Sequence, residues 1–175
     1  MVVLGINGYH KRSHDTSACI VKDGEILAMV EEERLIRQKR AFDKKPINSI
    51  KLCLDLAKLD ARDIDAIAIG FNAENISGPV QDKNIVEEIL PGDIFKVKEK
   101  VPIYFVNHHL AHAASVFYAS KMQQAAILVL DGQGEDKATS LYFGSDKKLD
   151  LKKDYPINQS LGFLKPVLVH SNAKV

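Results

Sequence analysis

An α/β fold, a mixed sheet flanked by helices, is what this sequence predicts, and three observations predict it. Apolar runs of strand length recur at residues 2–7, 17–21, 25–30, 64–69, 101–106 and 125–130. Stretches with helical spacing of apolar residues intervene at 46–57 and 110–119. Strand and helix therefore alternate along much of the chain, the pattern of a layered α/β domain.

Val2-Val3-Leu4-Gly5-Ile6-Asn7 reads as a buried strand and Ser17-Ala18-Cys19-Ile20-Val21 as the next, with a polar loop between them. Asp23-Gly24 suits a two-residue hairpin into a third strand, Glu25-Ile26-Leu27-Ala28-Met29-Val30. The charged run 31–40 follows. Pro46 fits the first turn of a helix, and Ile47, Ile50, Leu54 and Ala57 then repeat on one helical face. Asp60-Ala61-Arg62-Asp63 reads as a turn into the strand 64–69, which stops at Gly70. Residues 72–91 are polar, with a short helix expected at 85–90, and 101–106 reads as another strand. Beyond the strand 125–130, Gly132-Gln133-Gly134-Glu135-Asp136 reads as a turn-rich loop, and 139–143 as a returning strand. Such a glycine loop after a buried strand brings backbone N–H groups near a phosphate, which makes Gly132 and Gly134 candidates for holding a nucleotide. A plain hairpin uses the same residues.

The 175 residues are enough for a domain with a real core, and 46% are apolar, as in ordinary globular proteins. With 24 basic and 23 acidic residues the net charge is +1, so no global field draws the chain to nucleic acid or a membrane, and an anionic ligand must be held locally. Cys19 and Cys53 are too few for a disulfide framework or a thiolate metal site and read as core residues. No stretch has the apolar length of a membrane helix and no secretory signal is recognised, so a cytoplasmic location is expected.

Asn107-His108-His109-Leu110-Ala111-His112 is the richest segment for chemistry. On a helix, His108 and His112 project from one face about 6 Å apart along the axis, a separation from which two imidazoles converge on one ion. Asp131 ends the run 125–130 and delivers a carboxylate to a sheet edge. Two imidazoles and a carboxylate bind a divalent metal and leave positions open for substrate. Histidines four apart also occur on merely polar helix faces or as hydrogen-bonded pairs. His109 points from another face, suited to supporting a ligand, to touching an anionic substrate, or to solvent.

Several blocks taken together give a resemblance: Gly5-Ile6-Asn7, His14-Asp15-Thr16-Ser17-Ala18-Cys19, Val30-Glu31-Glu32-Glu33-Arg34, His108 to Ser115, Asp131-Gly132-Gln133-Gly134 and Ser160-Leu161-Gly162. In this order, across residues 2–163, they resemble the O-carbamoyltransferases of nodulation-factor and antibiotic biosynthesis. The resemblance implies an amino-terminal lobe of the actin-like ATPase (ribonuclease H-like) class over 1–163, similar to part of the tRNA threonylcarbamoyladenosine-forming protein. It implies ATP and carbamoyl phosphate as co-substrates, a carbamoyl-adenylate intermediate, and transfer to a hydroxyl of a small-molecule acceptor. It also implies a divalent metal, iron by resemblance, on His108, His112 and Asp131. Carbamoyl transfer builds negative charge that a divalent cation offsets, and the acceptor hydroxyl must lose a proton. His14 is the candidate catalytic base or carbamoyl-binding group; the other reading is that its ring fixes the loop. His10, Lys11 and Arg12 either meet phosphate or form a solvated loop. Arg37 and Lys39 are candidates to neutralise an anionic donor, although a charge run is more often a solvated face.

The resembling enzymes are several times longer, and the fourth ligand they use, an aspartate from the second half of the fold, has no counterpart here. Pro166 stands where the family continues in a helix. These points predict an incomplete lobe with a divergent 164–175 tail, from truncation or a frameshift, that is inactive alone. The expected partners are a homodimer mate or a chain supplying the missing lobe. A non-catalytic lobe acting as a binding module is the competing reading. A sugar kinase or chaperone ATPase would carry an Asp-x-Gly loop where this chain has Asn7-Gly8-Tyr9, and a metallohydrolase would leave the amino-terminal blocks unexplained.

Overall fold

A computed structural model describes residues 1–8, 13–72, 74, 76–146 and 148–160. His10, Lys11, Arg12 and the divergent 164–175 tail lie outside the described residues. The chain divides into two compact units, Met1–Gly70 with Asn75–Val106, and Phe71–Glu74 with Asn107–Val175.

In the first unit, β1 (Val2–Asn7), β2 (Ser17–Lys22), β3 (Glu25–Glu31), β4 (Ala66–Ile69) and β5 (Ile103–Phe105) form one sheet in the order β3-β2-β1-β4-β5. The first three strands are antiparallel neighbours, and β4 and β5 run parallel to β1. That mixed order is the ribonuclease H-like, actin-like arrangement that the family resemblance implies. Asp23 and Gly24 make the β2–β3 hairpin at φ 51° and 89°, the left-handed pair a tight turn demands.

Leu4, Ile20, Ile67, Ile69 and Ile103 meet in the core of this unit, each at most 2% exposed. Helix α2 (Ile47–Ala57) covers them with Ile50, Cys53 and Leu54, the stripe its spacing predicts. The Cys53 thiol donates to the Ala18 carbonyl at 3.3 Å, and burial pushes its pKa up to about 11, so it is an inert core group. Pro46 stands one residue earlier than expected, at the N-cap, where it has no side chain to offer the helix. Glu32 supplies the cap instead. It lies in the short helix α1 (Glu32–Ile36), is 1% exposed, and accepts from the Asn48 and Ser49 amides at 3.3 and 2.7 Å. Asn48 Nδ2 and Ser49 Oγ donate to it as well. The charged run is therefore not a uniformly solvated face. Helix α3 (Lys83–Ile89) is capped by the Asp82 carboxylate, which accepts from Asn84 and Ile85.

The second unit is helix α4 (His108–Ser120) on a meander of β6 (Gln124–Gly134), β7 (Lys137–Ser145) and β8 (Lys148–Pro156). Ala113 and Phe117 of α4 pack on Ile127, Val129 and Tyr142. Gly144 makes room for that contact: a Cβ there would lie 2.6 Å from the Phe117 ring. The opposite sheet face presents Leu128, Leu130, Leu141 and Phe143, all exposed. No helix among the described residues is long and apolar enough to cross a membrane.

Candidate metal centre

His108, His112 and Asp131 all belong to the second unit. Asn107 caps α4, its Oδ1 accepting from the Leu110 amide at 3.1 Å, so the helix begins at His108 rather than two residues later. His109, Ala113 and Phe117, four residues apart, form the buried stripe of α4. His108 and His112 are each one residue off that stripe, at its rim. On β6, Ile127 and Val129 face the helix, and the two-residue period carries Asp131 to the same side.

The donors converge. His108 Nε2 lies 2.9 Å from Asp131 Oδ2 and 3.0 Å from His112 Nε2, and His112 Nε2 is 4.0 Å from the same carboxylate oxygen. A tetrahedral ion with bonds of about 2.0–2.1 Å needs ligand atoms about 3.3 Å apart, which these separations bracket. Proton placement points the same way. One hydrogen on His108 Nε2 can serve either the carboxylate or the His112 nitrogen, not both. If it goes to Asp131, a His112 nitrogen is left facing an N–H already used. If His112 donates instead, a ring lone pair faces a carboxylate. A cation satisfies all three at once, so the residues fit a divalent metal. The His108 and Asp131 side chains are about 30% exposed and that of His112 is 53% exposed, leaving the site open to exchangeable ligands.

Electrostatics favour the ligating forms of His112 and Asp131. Burial, with the neighbouring His108 ring adding to it, holds His112 and His109 below the ordinary imidazole range. Burial works to raise Asp131, but hydrogen bonds from His108 and from the Gly132 amide outweigh it, and its pKa is lowered. The sign for stability follows. A depressed imidazole pKa means the unfolded chain binds more protons, so the contribution of His109 and His112 is full above the unfolded value of about 6.5 and is lost as pH falls through it. The metal-free chain should therefore melt at a lower temperature at pH 5.5 than at pH 7.5, and a flat profile across that window would count against neutral histidines. The Asp131 contribution should persist until pH falls below about 4.

His109 is 1% exposed, its Nδ1 lies 2.6 Å from Ser140 Oγ, and its Nε2 is buried with no hydrogen-bond partner among the described residues. Gly132 and Gly134 stand at the end of β6, which runs into a tight hairpin with β7, so the expected turn-rich loop is confined to Glu135 and Asp136. The reason is steric. A Cβ at Gly134 would come 2.4 Å from His108 and 2.8 Å from His109, so the glycine lets β6 close on both rings.

Comparison with known families decides the relationship. The family model described as carbamoyltransferase N-terminus matches residues 2–88 and 71–171. The chain belongs to the carbamoyltransferase amino-terminal family. The nodulation protein NolNO of Sinorhizobium fredii is 33% identical over 94% of this chain and 28% of its own length. An uncharacterized protein of Synechocystis, sll1178, is 32% identical over 93% of this chain and 30% of its own. The chain thus spans under a third of the length of these relatives. Among solved structures, YeaZ from Pseudomonas aeruginosa aligns over 89% of this chain and 66% of its own, at 16% identity and a TM-score of 0.47.

Other candidates of this carbamoyltransferase-family chain sit in the first unit. His14 is exposed, with Nδ1 2.6 Å from Asp15 Oδ2 and its ring 5.7 Å from that of Phe42. The basic stretch lies against it: the Asp15 amide donates to the Arg40 carbonyl at 2.7 Å and the Asp43 amide to that of Ser13 at 3.1 Å. Arg37 and Lys39 are exposed in that stretch. The fold thus brings the His14 loop against residues 40–43 of the basic stretch. Glu135 was missed altogether. It accepts from His108 N and Asn107 Nδ2, beside the His108, His112 and Asp131 cluster, and its signal in the sequence was a glutamate in a tight turn.

Proposed function

We propose that this chain is the amino-terminal part of an ATP- and metal-dependent carbamoyltransferase that passes a carbamoyl group from carbamoyl phosphate, through carbamoyl-adenylate, to a hydroxyl of a small-molecule acceptor. The observation that carries the proposal is the convergence of His108, His112 and Asp131 within 4.8 Å in a chain of this family. A bound divalent ion would supply Lewis-acid stabilisation of charge on the transferring group. The chain's own residues supply the rest. The Asp15 carboxylate accepts from His14 Nδ1, which leaves the Nε2 lone pair free to take the acceptor's hydroxyl proton, and Asp15 then stabilises the imidazolium. Arg37 and Lys39 offer positive charge to an anionic donor.

The purified 175-residue chain is expected to take up one divalent ion and to give no carbamoyl transfer by itself. Metal content after dialysis and transfer of labelled carbamoyl phosphate in the presence of ATP measure both. Turnover by the isolated chain would overturn the view that the remaining length of the relatives is needed. A folded chain that takes up no metal would favour a non-catalytic lobe.

A further inference from the structure

The β6–β7 turn breaks its own local rule. Gly134 pairs with Lys137, so Glu135 and Asp136 are the two central residues of the hairpin, and Glu135 holds φ 55°. Glycine, asparagine or aspartate ordinarily fill that left-handed position, and a glutamate there carries backbone strain. Its carboxylate has a task that none of those residues reaches. Oε1 accepts from the Asn72 amide at 2.5 Å and the His108 amide at 3.1 Å, and Oε2 accepts from Asn107 Nδ2 at 2.5 Å. Asn107 then uses its remaining amide atom, Oδ1, to cap α4 through Leu110.

We infer that Glu135 is a positioning residue for the metal centre: its carboxylate fixes the first turn of α4, and with it the His108 ring, against Asp131. The inference rests on the metal reading of the same site. The hydrogen bonds have a direction that can be exploited. Both Glu135 oxygens accept, and the Asn107 amide donates to one of them and accepts from Leu110. In Glu135→Gln one donor must face another, either at Asn107 Nδ2 or at the two backbone amides. In Asn107→Asp two carboxylates face each other. In the double variant the new amide donates to the new carboxylate, whose other oxygen still caps Leu110, and all four hydrogen bonds return.

Zn2+ affinity of the full chain, measured by competition with a chromophoric chelator, tests this, with circular dichroism to verify folding. Groups that orient metal ligands typically change affinity about 10–100-fold when removed. Glu135→Gln should weaken Zn2+ binding at least tenfold, and the double variant should return to within about threefold of the wild type. Zn2+ binding unchanged in Glu135→Gln overturns the inference, and so does a loss that the double variant fails to restore. If Glu135→Gln does not fold, the double variant alone decides: it must fold and bind Zn2+ like the wild type. Failure of the underlying metal reading is separately visible, because the folded wild-type chain would then bind no Zn2+, and the inference would fall with it.

Discussion

His108→Ala with His112→Ala should strip the chain of its divalent ion. Structural zinc sites contribute about 10–16 kcal/mol from four ligands, so each imidazole accounts for about 3 kcal/mol, on the order of a hundredfold in Kd. Losing both leaves Asp131 alone, and retention at micromolar ion should end. Thermal melting reports the same event. An ion at a hundred times its Kd stabilises by about 2.7 kcal/mol, roughly 5–10 °C for a chain of this size, and that rise should vanish in the double variant. The metal-free melting temperature, measured beside it, separates loss of the His108–Asp131 hydrogen bond from loss of ion binding. Unchanged metal content in the double variant would sink the assignment.

Glu32→Ala should be the most damaging single change in the first unit. The carboxylate is 1% exposed and holds two backbone amides of the first turn of α2, the Asn48 amide group and the Ser49 hydroxyl. Pro46 cannot replace it as a cap. Ser49 is itself fully buried, so its donors would have no solvent to turn to. Leaving such donors unmade costs about 1–3 kcal/mol each where relaxation is limited, and we expect a total of about 3–5 kcal/mol, read as a lowered urea midpoint. Glu31→Ala, in the exposed neighbour, should stay within about 0.5 kcal/mol and serves as the control. A Glu32→Ala loss below about 1 kcal/mol would mean that the network does not hold α1 to α2.

These residues also show what a sequence can and cannot reveal. The first three strands, α2, β4, α3, β5, α4 and β7 announce themselves through period and turn chemistry, because each buries one face. The strand β8 went unread: Lys148, Asp150, Lys152, Lys153 and Asp154 give a charged edge strand whose only inward apolar anchor is Leu149. Glu32 was hidden for another reason. Its partners are 16 and 17 residues away, and nothing local separates a buried capping carboxylate from its exposed neighbours Glu31 and Arg34. The convergence of His108, His112 and Asp131 was legible because helix spacing and strand alternation fix where they project. Their support by Glu135 was not, since it depends on how a hairpin closes on a helix N-terminus. The break after Val106 was equally invisible, as β5 and α4 follow each other without any linker composition.

The three candidate donors found among the described residues, together with Asn107 and Glu135, fall between residues 107 and 135. His108 and Asp131 are only 23 positions apart in the chain. Closing so short a loop takes little conformational entropy, and contacts of low sequence separation form early. The centre can therefore assemble as soon as one helix meets one hairpin. During synthesis these three side chains would be brought together by α4 and β6 themselves, before any later part of a longer polypeptide leaves the ribosome.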